Sequence, residues 1–252
     1  MHPLLLHKTT TSERMFLYGT HQALYISRNV LDFSTAPEWI ELSREGCLVD
    51  KWNPKGISAF ATSADGDVIF YGTNKGEVFR VSNVSQVVND ETVSNATVLK
   101  IADLETTSGA DYLITDIAID PNDPERVLVS VGFYDQPANI YYSNLATSTM
   151  DDSSFIPVSG DLPQIPVYSC LIEYYSGAFI VGTEFGVFTS EDDGVTWSKE
   201  SDGLPNCPTL MVRQQIFKWA GNFGQIYIAT HGRGVFTSDD YVTSVADETA
   251  LI

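Results

Sequence analysis

Four carboxylates in this 252-residue chain, Asp111, Asp135, Asp161 and Glu184, fall in connections between predicted strands, where two of them could face each other across a groove. Carboxylates paired in this way hydrolyse glycosides, one as the acid and the other as nucleophile or base. A second set suits capture rather than turnover: His21, Trp52, Lys75, Tyr112, Tyr134, Phe185, His231 and Arg233. Aromatic faces stack on sugars or peptide side chains, and a few charges orient what is bound. In the last of these turns, His231-Gly232-Arg233-Gly234, the glycines push the cation inward. The plain alternative for each member is an ordinary polar turn residue, in a chain that carries 33 Asp and Glu. Scattered as they are, these residues become a site only if the elements between them bring them together.

Those elements repeat. A run ending in a small pair leads through a short turn into an aromatic strand that closes on Ser. It reads Tyr18-Gly19-Thr20 into Tyr25-Ile26-Ser27, Tyr71-Gly72-Thr73 into Phe79-Arg80-Val81-Ser82, and Ser130-Val131-Gly132 into Tyr141-Tyr142-Ser143. Val181-Gly182-Thr183 into Phe188-Thr189-Ser190 and Ala229-Thr230 into Phe236-Thr237-Ser238 complete the series. The marker serines recur at intervals of 47 to 61 residues. A period near 50 built from short β-rich segments, turn residues and no helical periodicity predicts four-stranded antiparallel meanders packed on one another, an all-β propeller or array. The five units cover approximately residues 1–52, 53–108, 109–163, 164–205 and 206–245, with 246–252 as a tail. After Ser238 the sequence offers only a weak last strand, Tyr241 to Val245, so a piece of a longer propeller is expected, with a closed five-bladed ring as the alternative. In a propeller the second turn of each unit and the links between units open onto one face, and every candidate above falls there.

One segment is more specific. Ser190-Glu191-Asp192-Asp193-Gly194-Val195-Thr196-Trp197 matches the pattern S-x-D-x-G-x-T-W. Chemically it is a hairpin device: short Ser and Asp side chains cap backbone N–H groups, Gly takes a positive φ, and Thr and Trp restart the strand. On Ser190, Asp192, Gly194, Thr196 and Trp197 the chain resembles the BNR or Asp-box β-propellers, which include sialidases, xyloglucanase-type hydrolases and sortilin-like receptor domains. The likeness extends to secreted Bacteroidetes-type propellers whose last blade closes with phrases like Ile228-Ala229-Thr230-His231-Gly232-Arg233-Gly234 before a C-terminal sorting domain. The resemblance implies a secreted or cell-surface protein, and it implies that the Asp-box is structural, on the outer rim, so that Asp192 and Asp193 are not catalytic.

Composition narrows the function further. A net charge of −19 argues against binding nucleic acid or an anionic membrane by bulk electrostatics. The N-terminal apolar stretch is too short for a membrane span. Cys47, Cys170 and Cys207 have neither zinc-site nor disulfide spacing, and nothing calls for a metal or a cofactor. A sialidase would need three arginines on the ligand face, where only Arg233 falls, and a serine hydrolase would need a nucleophile elbow that is absent. The expected function is therefore a non-catalytic module that binds a polysaccharide or a protein, with a xyloglucanase-like glycosidase as the alternative.

Overall fold

The computed structural model describes residues 4–8, 14–20, 22–47, 54–104, 112–134, 138–200, 203–217 and 221–239. These form nineteen strands in five antiparallel sheets, with three short 3₁₀ turns. The first sheet contains β1 (Leu4–Lys8), β2 (Arg14–Gly19), β3 (Leu24–Ser27) and β4 (Ile40–Ser43). The second contains β5 (Ile57–Thr62), β6 (Ile69–Thr73), β7 (Glu77–Ser82) and β8 (Thr97–Asp103), and the third β9 (Ile114–Ile119), β10 (Val127–Val131), β11 (Ile140–Ser143) and β12 (Ile156–Pro157). The fourth holds β13 (Val167–Ile172), β14 (Phe179–Thr183), β15 (Gly186–Ser190) and β16 (Ser198–Glu200). The fifth has three strands, β17 (Thr209–Gln214), β18 (Ile226–Thr230) and β19 (Gly234–Ser238). Each sheet is a simple meander in chain order.

A lone meander leaves two faces wet, so the sheets bury one another. Four apolar layers lie between consecutive sheets, from Leu17, Ile26 and Tyr71 between the first two to Ile180, Val212 and Ile228 between the last two. The second strands β6, β10 and β14 are buried at every residue, because both of their faces are covered and both edges are paired.

The repeated sequence signature has a physical cause at each position. A Cβ on Gly72 would lie 2.5 Å from Ile114, one on Gly132 2.5 Å from Thr115, and one on Gly182 2.7 Å from the Thr209 carbonyl oxygen. Glycine at the end of the second strand therefore lets the adjoining first strand come close. The Thr that follows caps the turn: Thr20 Oγ1 accepts from Gln22 N (2.9 Å), Thr73 Oγ1 from Lys75 N (3.2 Å) and Thr183 Oγ1 from Phe185 N (3.1 Å).

The first strands of the second to fifth sheets share a register break, after Ile57, Ile114, Val167 and Thr209. The extra residue at these bulges is Ser58, Thr115, Tyr168 and Leu210. Ser58 donates to the Ile114 carbonyl of the next sheet (2.7 Å), and Thr115 to that of Val167 (2.6 Å). Deeper in the stack, Asp116 on β9 accepts from Ser169 Oγ (2.6 Å) and from Arg213 Nη1 (2.8 Å), joining three sheets. Burial alone would lower the Arg213 pKa, but the charge and hydrogen bond of Asp116, with a smaller contribution from Cys170, together outweigh it and the net shift is upward. Because the first strands run side by side, the turns between second and third strands all gather at one end of the molecule.

Candidate functional site

At that end the third and fourth sheets carry a cluster of rings around one carboxylate. Glu184 sits in the β14–β15 turn that Thr183 caps. Tyr168, the bulge residue of β13, donates its phenol to Glu184 Oε2 in a short hydrogen bond. Tyr134, from the β10–β11 connection, hydrogen-bonds to the same carboxylate. Desolvation first, and the Glu184 bond and charge second, raise the pKa of both phenols, so at neutral pH both are donors. Tyr134 is 52 % exposed, and Phe133 and Phe185, the chain neighbours of Tyr134 and Glu184, are 42 % and 47 % exposed. A carboxylate offers about four lone-pair sites, so two phenol donors leave acceptor capacity for a ligand N–H or O–H.

The bulge comparison explains why the cluster exists. Where Ser58 and Thr115 spend a short hydroxyl on the next sheet, the fourth sheet places a tyrosine that turns to Glu184 instead. Tyr168 was legible in the sequence only as part of an apolar strand; its alignment with Ser58 and Thr115 is the signal that singles it out.

The other expected ligand-face residues divide. Lys75, His231 and Arg233 lie in the equivalent turns of the second and fifth sheets; Lys75 is half-buried, and His231 and Arg233 are exposed. Tyr112 is a correction: its ring is fully buried against Tyr141 (6.2 Å between centroids) in the layer between the second and third sheets, and it presents no face to a ligand. His21, Trp52, Asp111 and Asp135 lie outside the described residues.

Asp161 is also not where a catalytic pair needs it. Its Oδ1 accepts from Trp197 N (2.7 Å), at the end of the fourth sheet opposite Glu184. Four residue steps of β15 separate the two ends, about 13 Å of strand. That exceeds the about 5–9.5 Å that a glycosidase pair spans. Asp161 and Glu184 therefore cannot act together on one bond.

The Ser190–Trp197 segment folds as a self-capped turn. Ser190 Oγ donates to Asp192 Oδ1 (2.9 Å) and accepts from Gly194 N (2.9 Å). Asp192 accepts from Thr196 N (2.8 Å) and Thr196 Oγ1 (2.7 Å), and these bonds hold its carboxyl below the usual range. Gly194 has φ +83°, and Trp197 Nε1 donates to the Val158 carbonyl of the third sheet (3.2 Å). Arg126 reaches Asp193 (3.2 Å) from the same sheet. The side chains of Ser190, Asp192, Asp193, Thr196 and Trp197 are all spent on contacts within the fold.

Burial pushes the Cys47 thiol up to about 11 and raises Cys170 well above its ordinary value, which leaves neither as a nucleophile at neutral pH. Among the described residues no three His, Cys, Asp or Glu side chains converge as a metal site requires, and no helix is long and apolar enough to cross a membrane.

No family model matches the chain, and no curated protein matches it. Solved structures do. The extracellular domain of a putative one component system from B. thetaiotaomicron is 15 % identical with a TM-score of 0.56, over 89 % of this chain and 26 % of that one. The extracellular domain of a putative hybrid two component system from the same organism gives 15 % and 0.55 over the same shares. A chain in the crystal structure of the Mitotic Checkpoint Complex is 10 % identical with a TM-score of 0.57, over 96 % of this chain and 62 % of that one. This chain thus spans about a quarter of the length of the first two and less than two thirds of the third. At such identities what is shared is the fold: stacked antiparallel β-sheets.

Proposed function

We propose that the chain is a propeller-type binding module of an exported protein, and that it captures a polysaccharide or a protein segment at the Tyr134–Tyr168–Glu184 cluster without turning it over. One observation carries this reading. A tyrosine stands at a bulge where the two preceding sheets use a stitching hydroxyl, and it holds a carboxylate that a second, half-exposed tyrosine also bonds, with exposed Phe133 and Phe185 next to them in the chain. Rings flanking a hydrogen-bonding centre suit a sugar face or an extended peptide. The Ser190–Trp197 turn supports placing the chain with the Asp-box propellers, and the extracellular neighbours support an exported setting.

The test is a combined glycan and peptide binding screen with a hydrolysis readout. Saturable binding without turnover, weakened at least tenfold in Tyr134→Ala and in Glu184→Gln, is expected. Turnover of any polysaccharide overturns the non-catalytic reading. Binding that survives both substitutions overturns the site.

A further inference from the structure

The hydrogen bonds around Glu184 all run one way. Tyr168 gives its hydroxyl proton to Glu184 Oε2, and Tyr134 gives its own to the same carboxylate. Thr183 Oγ1 donates to the Gly186 carbonyl (2.8 Å). In the backbone, Glu184 N donates to the Pro166 carbonyl (3.2 Å) and Phe185 N to Thr183 Oγ1 (3.1 Å). These five donors are therefore already committed inside the fold. What the same groups still offer is acceptor capacity, on the carboxylate and on the two phenol oxygens. The half-exposed ring of Tyr134 adds an aromatic face.

That set discriminates between ligands. A sugar hydroxyl donates and accepts at once, and its lone pairs would find no donor among these groups, a mismatch that costs binding energy. A carboxylate or sulfate would meet Glu184 as a like charge, on a protein of net charge −19. A guanidinium matches: it carries five N–H donors and no acceptor, its fork pairs with a carboxylate through two parallel bonds, and its plane stacks on an aromatic ring. An ammonium also only donates, but it is a more strongly hydrated point charge and lacks the fork.

We infer that the Tyr134–Tyr168–Glu184 cluster receives the arginine side chain of a protein segment, with the guanidinium paired to Glu184 and stacked on Tyr134. This rests on the binding-module reading of the same cluster and narrows its ligand. The two phenols act as positioning residues, since their donated protons hold the carboxylate in one orientation for the fork. The negative charge of the whole chain draws a cationic segment toward the surface, and the donor-poor cluster selects the side chain that stays.

The probes are capped tripeptides, acetyl-Ala-Xaa-Ala-amide, with arginine, lysine or citrulline at Xaa. They are titrated into the full chain and followed by the amide NMR shifts of Tyr134, Glu184 and Phe185. Citrulline keeps the length and planarity of arginine but is neutral and places an acceptor oxygen in the fork. Saturable shifts at these amides are expected with the arginine peptide, at least tenfold weaker binding with citrulline, and several-fold weaker binding with lysine. Because these comparisons use the unaltered protein, no variant has to fold for the inference to be tested. Glu184→Gln should weaken the arginine peptide at least tenfold. Glu38→Gln, the same change of charge at an exposed position in the β3–β4 connection, should alter it less than twofold, which separates a local pair from bulk attraction. Equal binding of the arginine and citrulline peptides, or arginine binding that survives Glu184→Gln, overturns the inference. Two sugars are run beside the peptides, cellohexaose and a glucosamine hexamer. Cellohexaose binding that Glu184→Gln abolishes, with no arginine binding, overturns the arginine assignment and leaves the rim site standing. Tighter binding of the glucosamine hexamer than of the arginine peptide overturns it in favour of an amino sugar. Silence with every probe overturns both the assignment and the site.

Discussion

Val187 and Val235 occupy the same place in the same five-residue strand, yet one is 2 % exposed and the other 68 %. Nothing local separates them. The fifth sheet covers Val187, whereas Val235 looks away from the stack with Met211 beside it, 49 % exposed. Position in the stack, and not strand sequence, decides which residues carry stability. A fully buried side chain of this size is worth about 1.5–3 kcal/mol, and the repeat gains that only where a neighbour exists.

The largest test of this contrast is to place a charge at both positions. Val187→Asp should cost about 3–5 kcal/mol in urea unfolding, because it buries an unpaired carboxylate, while Val235→Asp should stay within about 0.5 kcal/mol. Equal costs would break the comparison. A smaller contrast lies one strand inward, where Gly182 faces the next sheet and its register counterpart is Ala229. Gly182→Ala should cost about 1–3 kcal/mol, since its Cβ would press on the Thr209 carbonyl, whereas Ala229→Gly should cost only about 0.5–1 kcal/mol.

The turn after β15 offers a pH signature. Hydrogen bonds from Thr196 and Ser190 lower the Asp192 pKa in the folded state below its unfolded value. Its contribution is therefore fully present above the unfolded value, about 3.9, and is lost as pH falls through the folded one. Asp192→Ala should melt below the parent protein at neutral pH, and the two melting temperatures should converge as pH drops below about 4. A gap that stayed constant with pH would remove the turn's carboxylate from the argument. A small stability effect is expected at the bulge. Tyr168→Ser should restore the scaffold residue, change stability by less than about 1 kcal/mol and abolish binding at the rim. Retained binding would mean that Tyr168 is only a packing residue.

Much of the architecture could be read from the chain. The Gly-Thr pairs, Asp120-Pro121 and the Ser190–Trp197 motif are local devices, so their sequence carries their geometry. A fourth strand in the first unit is expected from the four-stranded template, but its position, Ile40–Ser43, is not legible, because that unit lacks the full turn motif that opens β16. The site was less legible. Glu184, Phe185 and Tyr134 announce themselves as turn residues, but Tyr168 sits inside an apolar run and gains its role from a register shift that no single strand reveals. Tyr112 misled for the converse reason: it heads a strand at the correct end, yet its ring turns into the layer between two sheets. Asp161 does not pair with Glu184 because the connection 158–166 carries it to the far turn of the fourth sheet.

The stitching hydroxyls of Ser58 and Thr115 tie the second sheet to the third and the third to the fourth, and the Asp116–Arg213 ion pair adds one tie that skips from the third sheet to the fifth. Such a molecule behaves as a line of coupled units, and its free energy is shared between neighbours and not pooled in one centre. Opening should then travel as a front. In native-state hydrogen exchange β17–β19, lacking a described cover on the outward face, should lose protection first, β13–β16 next, and the doubly flanked second and third sheets last.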